Sequence, residues 1–460
     1  MADFAPFAQR MEADRQPQVF IDTFAHYYEQ LVAGETGTIP ESEIQPVKYL
    51  PDMEDFSPKQ ALLGKKMMRK TAVIKLNGGL GTSMGLERAK SLLPVKDNLS
   101  FLDIIARQSL KANMPLVLMN SFATEQDSLR ALKHYNDMNR TTMPLSFVQH
   151  REPKITQSDF SPVQWPQNRD LEWCPPGHGD IYTALITRGT MSAFASQGYE
   201  YVFVSNADNL GAVLDFSILG YMVQHKIPFL MEVADRTEMD KKGGHLAQRA
   251  DGQLILRESA QCPAADKKSF QDITLHKYFN TNNLWIHLPT LSQLMESRGN
   301  KLGLPMIRNS KTVDPRDPDS TPVYQLETAM GSAIAVFQGS QAVRVPRSRF
   351  APVKKTDDLL AVRSDSYILT PSFYVKPSPE RHYDDLLVTL DPTYFKFVND
   401  LDERFPFGPP SLVNAHSFVV EGDFRFGRGV VCKGDVRLIN ESGSRQFIPD
   451  YTVLQGVVVY

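Results

Sequence analysis

The stretch TAVIKLNGGLGTSMGLERAKS, residues 71–91, predicts a strand that runs directly into a glycine-rich loop. Its first residues form a short apolar run that suits a buried strand. Four glycines follow, at positions 78, 79, 81 and 85, and Lys90 comes after them. Glycine permits positive φ and lets phosphate oxygens approach main-chain N–H groups closely. The stretch therefore favours an anion-binding turn over an ordinary turn between a strand and a helix.

Two familiar phosphate-binding loops do not fit this stretch. A dinucleotide-binding fingerprint requires GxGxxG, and Met84 stands where the third glycine belongs. A P-loop requires glycine directly before Lys-Ser, and Ala89 precedes Lys90 instead. The loop by itself therefore does not identify a substrate.

Length and composition indicate a globular protein with more than one domain. The chain has 460 residues, a net charge of −3, 42% hydrophobic residues and 22% charged residues. Without a basic excess, a nucleic-acid partner is not expected. The three scattered cysteines suit neither a disulfide framework nor a zinc site. Since no membrane span or signal peptide is evident, we expect a cytoplasmic protein with no membrane partner.

Strand-like and helix-like runs alternate from residue 71 to about residue 234. The expected strands begin near residues 72, 116, 145, 201 and 229, and the expected helices cover 99–110, 124–135, 181–199 and 216–225. This alternation predicts an α/β fold with a mostly parallel, Rossmann-like sheet. Because such sheets bind ligands at the carboxyl ends of their strands, the turns after these strands should converge on one site.

From residue 418 the sequence changes to a period of six. Two apolar series share this period: Phe418, Phe424, Val430 and Val436, and then Val420, Phe426, Cys432 and Leu438. An antiparallel meander would also place residues two apart on one face. Two series kept over four repeats favour a parallel β-helix instead. The first 45 residues, by contrast, have the apolar spacing of helices.

Residues 75–85 and the pair Lys90-Ser91 closely resemble the UTP-binding signature of the eukaryotic-type UDP-glucose pyrophosphorylases. Sugar pyrophosphorylases of other branches carry an arginine where Ser83 stands here. The resemblance continues in order to the C-terminal region. It implies a sheet of the nucleotide-diphospho-sugar transferase type and a C-terminal left-handed parallel β-helix. It also implies that UTP and glucose 1-phosphate are converted reversibly to UDP-glucose and pyrophosphate, with Mg²⁺ as cofactor.

Together, the sequence patterns and this resemblance divide the chain into three regions. These are an N-terminal helical extension at residues 1–45, a catalytic domain at residues 46–370, and a linker with the β-helix at residues 371–460. The apolar end of the chain leads us to expect a homo-oligomer formed through this last region.

Several residues are expected to bind UTP because they match the family's motifs. Gln149 corresponds to the family glutamine that reads uracil, and an amide can both donate to and accept from a pyrimidine edge. In PPGHGD, residues 175–180, Gly177 would line the base pocket and His178 would meet the sugar phosphate. The glycine-rich loop would contribute Leu76, Asn77, Gly78 and Gly79.

The segment NADNLGA, residues 206–212, follows another apolar run. A carboxylate at a strand end is a natural Mg²⁺ ligand in a phosphate site, although an aspartate in a turn or at a helix N-cap is the alternative. The match to a family element favours Asp208 as the metal ligand, with Asn206 beside it in the substrate site.

Four further residues match elements that bind the sugar in the family. They are Gly244 of KGG, Asn280 and Asn282 of FNTNN, and Glu327 of QLE. Amides and carboxylates suit sugar hydroxyls, although asparagine-rich turns are often only turns.

The catalytic residues implied by the resemblance are Lys90 and Lys354, the latter in the segment APVKK. The sugar phosphate is already anionic, so it needs no general base to attack the α-phosphorus of UTP in line. Positioning and charge neutralisation then supply the catalysis. Two alternatives remain at this point: another sugar phosphate, such as galactose 1-phosphate or N-acetylglucosamine 1-phosphate, or a non-catalytic sugar-nucleotide-binding protein.

Overall fold

The computed structural model describes residues 3–135, 138, 143–383 and 386–460. The helices in these ranges are α1 (Ala5–Ala13), α2 (Gln18–Val32), α3 (Pro58–Met67), α4 (Phe101–Ala112), α5 (Glu125–Leu132), α6 (Ile181–Thr187), α7 (Thr190–Ser196), α8 (Phe216–Gln224), α9 (Lys267–Phe270), α10 (Leu288–Ser297), α11 (Thr356–Arg363), α12 (Pro392–Phe395) and α13 (Val398–Arg404).

The strands in the same ranges are β1 (Gln45–Pro46), β2 (Thr71–Asn77), β3 (Pro94–Lys96), β4 (Leu99–Ser100), β5 (Leu116–Asn120), β6 (Ser146–Val148), β7 (Glu152–Pro153), β8 (Ile155–Thr156), β9 (Trp173–Cys174), β10 (Tyr201–Asn206), β11 (Phe229–Asp235), β12 (His245–Gln248), β13 (Leu254–Arg257), β14 (Tyr278–His287), β15 (Met306–Thr312), β16 (Pro322–Thr328), β17 (Gln341–Arg344), β18 (Tyr367–Leu369), β19 (Val375–Pro377), β20 (Leu387–Leu390), β21 (Ala415–Glu421), β22 (Phe424–Phe426), β23 (Val431–Ile439), β24 (Gln446–Ile448) and β25 (Val453–Val459).

A ten-stranded sheet forms the centre of the part of the chain that the structure describes. Its main path runs β1-β12-β14-β10-β2-β5-β6, with β13 beside β12, and with β11 and β17 continuing from β14. The neighbours β10, β2, β5 and β6 are all parallel. β14 runs antiparallel to both β10 and β11. The predicted α/β fold is confirmed, and its parallel strands are those that precede the expected site.

Helices cover both faces of this sheet, which explains the apolar character of its strands. On one face, α6 and α7 pack Ile181, Leu185 and Phe194 against the sheet. On the other, α4 contributes Leu102 and Ile105 to a second cluster with β5. Because both faces are covered, β2 and β10 read as continuous apolar runs rather than as alternating ones.

The region expected to be one helix at residues 181–199 consists of two helices. α6 ends at Thr187, α7 begins at Thr190, and Gly189 between them has φ +72°. The single-helix expectation is therefore wrong. Apolar periodicity continues across the break because both helices pack on the same face of the sheet, and only the glycine marks the change of direction.

The N-terminal residues are helical, as expected, and pack onto the main body of the protein. Aromatic rings on α1 and α2 contact each other. The centre of the Phe7 ring lies 5.0 Å from that of Tyr28 and 5.7 Å from that of Phe24. Their cluster also includes Ile155 of β8 and Leu326 of β16. The two helices thus lie beside the segment that carries Glu327.

The C-terminal strands pair with one another in parallel. β20, β21, β23 and β25 form one parallel sheet, and β22 pairs in parallel with β24. Phe418 lies opposite Val436, and Val420 lies opposite Leu438. Both apolar series predicted from the period of six are buried. Their core also takes in Met84 and Leu93, so it reaches the segment that follows the glycine-rich loop.

None of the helices in the described ranges has both the length and the apolar character needed to cross a bilayer.

Candidate active site

The glycine-rich loop lies at the carboxyl end of β2 and folds back over itself. Gly81 and Gly85 have φ values of +69° and +75° and flank a single helical turn at Thr82–Met84. The Lys90 N–H donates to the Gly79 carbonyl at 3.0 Å. A Cβ on Gly81 would lie 3.2 Å from the Lys90 side chain. Lys90 therefore belongs to the loop, while Gly79 is left with open space around its α-carbon.

A buried group of polar side chains supports the loop from below. Asn77 donates through Nδ2 to Asn120 Oδ1 and to Ser128 Oγ, both at 2.7 Å. Ser121 Oγ donates to the Gly78 carbonyl at 2.9 Å. The Asn77 side chain is thus used inside the protein, so it is the main chain at Asn77 that can meet a ligand. The Leu76 carbonyl, next to it, accepts from the Ala207 N–H.

Gln149 lies beside the glycine-rich loop, where the predicted convergence of strand ends places it. Its N–H donates to the Asn120 carbonyl at 2.8 Å, which fixes it to the end of β5. Its amide group lies against Gly78, since a Cβ there would be 3.2 Å from Gln149 Nε2. Any larger residue at position 78 would displace this amide.

Asp208 and Lys90 form an ion pair at the mouth of the loop. Lys90 Nζ lies 2.6 Å from Asp208 Oδ2, and the two side chains are only 15% and 24% exposed. Asp208 follows Asn206, the last residue of β10, so β10 and the loop after β2 bring the pair together. The site thus holds one carboxylate and one ammonium side by side, at the edge where an anionic ligand would enter.

His178 is held in one neutral form by its surroundings. The Met330 N–H donates to His178 Nδ1 at 2.9 Å, so the proton of the neutral ring lies on Nε2. Desolvation lowers the pKa of His178 to about 4. The turn before it depends on Gly177, which has φ +78° and whose Cβ would lie 2.5 Å from the Thr328 carbonyl. His178 can therefore donate a hydrogen bond from Nε2 but does not carry charge near neutral pH.

Of the residues expected to bind sugar, Glu327 lies beside the same turn, and Asn280 lies next to Gly331. Asn280 and Asn282 bond to each other reciprocally, Asn280 Nδ2 donating to Asn282 Oδ1 at 2.8 Å and the Asn282 N–H donating to Asn280 Oδ1 at 2.9 Å. A Cβ on Gly331 would lie 2.9 Å from Asn280 Nδ2. Glu327 is close to Gly177, whose Cβ would lie 3.0 Å from that of Glu327. Burial raises the pKa of Glu327.

Glu258 is a carboxylate that the sequence interpretation missed. A Cβ on Gly244 would lie 2.4 Å from Glu258 Oε2, so glycine is needed there for the two segments to approach. The Gly244 carbonyl also receives the Asn280 N–H, at 3.5 Å. Desolvation raises the pKa of Glu258. Glu258 directly follows β13, and no motif in the sequence singles it out.

Lys75, also missed, is almost fully buried beneath the loop. Its Nζ donates to Ser205 Oγ at 2.7 Å and to the Ala212 carbonyl at 2.8 Å. Burial, and then the nearby Arg349, lower its pKa to about 7. The signal in the sequence was a lysine inside an otherwise apolar strand, where a charged side chain requires buried polar partners.

Lys354 lies near this edge but does not contact Asp208 through its side chain. It is exposed, and its Nζ lies 5.5 Å from the centre of the Phe350 ring. Its segment is nevertheless attached to β10, because the Val353 N–H donates to the Asp208 carbonyl at 3.2 Å. The structure therefore brings the main chain of the two segments together while leaving the Lys354 ammonium in solvent.

Comparison with known proteins identifies the family. The model of the UTP–glucose-1-phosphate uridylyltransferase family matches residues 21–433. The UTP–glucose-1-phosphate uridylyltransferase of Musa acuminata is 38% identical over 97% of this chain and 95% of its own length. That of Solanum tuberosum is 41% identical over 85% of this chain and 81% of its own length.

Solved structures agree with these relatives. The crystal structure of a UDP-glucose pyrophosphorylase mutant from Leishmania major, in complex with UDP-glucose, is 43% identical and covers 100% of both chains with a TM-score of 0.93. A Trypanosoma brucei structure described as UDP-glucose phosphorylase is 42% identical, with a TM-score of 0.89 over 99% of both chains. With its fold, its motifs and its length all matched, this chain belongs to the UTP–glucose-1-phosphate uridylyltransferase family.

Proposed function

We propose that the protein transfers the uridylyl group of UTP to glucose 1-phosphate, forming UDP-glucose and pyrophosphate in a reversible reaction. The observation that carries this proposal is the Lys90–Asp208 pair, which lies at the carboxyl ends of β2 and β10, the edge that also holds Gln149. An anion-binding loop and a base-reading amide at one edge suit a nucleoside triphosphate.

The nucleotide half of the site consists of the loop and the residues beside it. Main-chain groups from Leu76 to Gly79 approach the UTP, and Gln149 pairs with the edge of uracil. Gly177 lines the base pocket with its main chain, since Thr328 packs where a side chain would lie. Asn206 lies at the end of β10 between this half and the sugar half.

The sugar half consists of Gly244, Asn280, Asn282 and Glu327, to which we add Glu258. Two carboxylates and two amides present several acceptors and donors, as a hexose with several hydroxyls requires. His178 donates from Nε2 to the phosphate of glucose 1-phosphate. Since the ring is neutral, it orients this phosphate without reducing its nucleophilicity as much as a full positive charge would.

Asp208 is the residue that would hold Mg²⁺. Among the described residues there is no cluster of three or more histidine, cysteine, aspartate or glutamate side chains suited to a metal. A single partly exposed carboxylate nevertheless fits Mg²⁺, which takes one or two carboxylates and completes its coordination with substrate phosphates and water. When bound, Mg²⁺ would neutralise charge on the phosphates of UTP.

The reaction requires positioning and charge rather than a general base. An oxygen of the sugar phosphate attacks the α-phosphorus of UTP, and the bond from this phosphorus to the departing pyrophosphate oxygen breaks. Lys90 contacts the phosphates from the loop, and Lys354 offsets the charge that develops on pyrophosphate.

A substrate panel tests this proposal. Pyrophosphate release is measured with UTP, Mg²⁺ and, in turn, glucose 1-phosphate, galactose 1-phosphate and N-acetylglucosamine 1-phosphate. We expect the highest kcat/KM with glucose 1-phosphate. A higher value with another sugar phosphate would overturn the choice of sugar, and no release with any of them would indicate a non-catalytic binding protein.

We further propose the organisation of the whole chain. Residues 1–45 form a helical extension, residues 46–370 the catalytic domain, and residues 371–460 a linker with a left-handed parallel β-helix. The parallel pairing of β20 to β25 supports the β-helix, and the exposed edge at β25 supports self-association through it.

We also propose a cytoplasmic location for the protein. The free thiols of Cys174, Cys262 and Cys432 support this location.

A further inference from the structure

A buried ion pair lies beneath the candidate active site. Glu232 of β11 is completely buried, and Arg349 is 5% exposed. Arg349 donates to Glu232 through Nε at 2.8 Å and through Nη2 at 2.6 Å. Trp285 Nε1 and Asn283 Nδ2 also donate to this carboxylate, both at 2.9 Å. All of the Glu232 oxygens are therefore hydrogen-bonded.

Such a pair needs an explanation other than stability. Removing two charges from water costs about as much as their attraction returns, so a buried ion pair is often no more stabilising than apolar residues of the same volume. What a bidentate pair does provide is a fixed geometry, because the planar guanidinium and the carboxylate join in one orientation. The pair therefore fixes where the Arg349 main chain lies.

The main chain at Arg349 is attached to the segment that carries Asp208. Asn209 Nδ2 donates to the Arg349 carbonyl at 3.1 Å, and Asn209 Oδ1 accepts from the Ala351 N–H at 3.0 Å. Asn209 also pairs with Pro352 as an antiparallel bridge. The buried side-chain amide of Asn209 thus holds the main chain at two positions of the segment that leads to Lys354.

Two further contacts keep these segments in register. The Val353 N–H, one residue before Lys354, donates to the Asp208 carbonyl at 3.2 Å. A Cβ on Gly211 would lie 2.4 Å from the Ser348 carbonyl, so the two backbones approach as closely as glycine allows. The end of β10 is itself fixed by the sheet, which makes the segment at residues 348–354 the one whose position depends on these contacts.

We propose that Glu232, Arg349 and Asn209 form a buried brace that positions Lys354 for catalysis. The brace attaches the segment before Lys354 to the sheet through Glu232 and to the Asp208 segment through Asn209. All three side chains are buried, so we assign them as positioning residues. This inference rests on the proposed function, because it requires Lys354 to act in uridylyl transfer.

The test is a double-mutant cycle between the brace and Lys354. Arg349→Lys keeps a positive charge opposite Glu232 but cannot form the bidentate pair of hydrogen bonds. We expect it to lower kcat roughly 10- to 100-fold with little change in the KM for UTP, because a displaced catalytic group costs rate rather than ground-state binding. In a Lys354→Ala background the same substitution should change kcat by less than about 3-fold, since the group it positions is absent.

Asn209→Ala is a second test variant, and it leaves the Glu232–Arg349 ion pair intact. It should show the same dependence on Lys354, so the inference can be tested even if Arg349→Lys does not fold. Arg404→Lys is the matched control, because Arg404 is also buried and pairs with Asp423 at 2.8 Å in the C-terminal region. It should lower Tm, and its effect on kcat should be equal in the two backgrounds.

The outcomes separate this inference from the proposed function. Equal losses of kcat for Arg349→Lys and Asn209→Ala with and without Lys354 would overturn the brace and leave the proposed function standing. A Lys354→Ala variant with the kcat of the wild type would overturn the role of Lys354, and the brace with it. A loss of kcat that depends on Lys354 supports both.

Discussion

Asp208 is the residue on which the proposed chemistry depends most. Its carboxylate contacts Lys90 and is 24% exposed. Asp208→Asn keeps the shape and removes the charge, so the fold should survive while activity falls. Loss of one preorganised charge contact costs about 3–4 kcal/mol at the transition state, which is roughly 100- to 1000-fold in kcat. Steady-state kinetics beside thermal unfolding measure both effects.

The exposed Asp251 provides a control for this substitution. Asp251→Asn makes the same chemical change at a surface turn, where it should leave kcat near the wild-type value. Activity of Asp208→Asn within a few-fold of wild type, at ordinary Mg²⁺ concentrations, would refute its assignment as the metal ligand.

His178 should make the stability of the protein depend on pH. Its pKa in the folded chain is about 4, below the ordinary value of 6.5. Between these values the unfolded chain binds a proton that the folded chain does not, so the free energy of unfolding falls as pH falls from 6.5 to 4. Above pH 6.5 the contribution of His178 to this dependence disappears.

His178→Gln isolates this contribution, because the other histidines remain. Urea unfolding at pH 7 and pH 4.5 should show a smaller loss of stability for the variant than for the wild type. Equal losses in both proteins would mean that His178 is protonated in the folded chain at pH 4.5, contrary to its lowered pKa.

At the scale of elements, the two lysines belong to segments of different kinds. Lys90 is part of the glycine-rich loop and packs on Gly81, so it should hold UTP before catalysis. Lys354 is exposed in a segment attached to Asp208 only through the main chain. Lys90→Ala should therefore weaken UTP binding, while Lys354→Ala should lower kcat with little change in UTP affinity. Calorimetric titration with UTP, beside kinetics, distinguishes the two. If Lys354→Ala abolished binding and Lys90→Ala preserved it, the roles would be exchanged.

The edge strand β25 is the element from which we expect self-association. It is the last strand of its parallel sheet, and Val453, Val457 and Val459 on it are 57%, 66% and 58% exposed. Unpaired strand edges with apolar side chains readily pair with another chain. Val457→Lys should lower the mass measured by light scattering, whereas Ser442→Lys, on an exposed loop nearby, should not. An unchanged mass for Val457→Lys would count against this interface.

Elements with a regular apolar period were predictable, and those that depend on distant partners were not. The strands β2, β5 and β10 were predicted from their apolar runs, which arise because each strand is buried on both faces. The break between α6 and α7 at Gly189 was not predicted, because both helices pack on the same face of the sheet and the apolar spacing continues across it. The bulge where β11 meets β14, and the positive φ of Asn282 beside it, arise from packing between strands that the sequence does not specify locally.

For the whole molecule, the sequence predicted where the site would form but not how it is supported. Parallel strands placed the glycine-rich loop, Gln149 and Asp208 at one edge, as their order in the chain implied. The Glu232–Arg349 pair joins residues 117 positions apart, and no spacing rule predicts such a contact. Glu258 was missed for the same reason, because only the approach of β13 to Gly244 brings the two residues together.

Exchange of labelled pyrophosphate into UTP tests direct transfer of the uridylyl group at this site. The wild-type protein is incubated with UTP, Mg²⁺ and labelled pyrophosphate, with and without glucose 1-phosphate. Because the sugar phosphate itself attacks the α-phosphorus, label should enter UTP only when glucose 1-phosphate is present. Exchange without the sugar phosphate would reveal a covalent uridylyl-enzyme, and no exchange in its presence would contradict the proposed reaction.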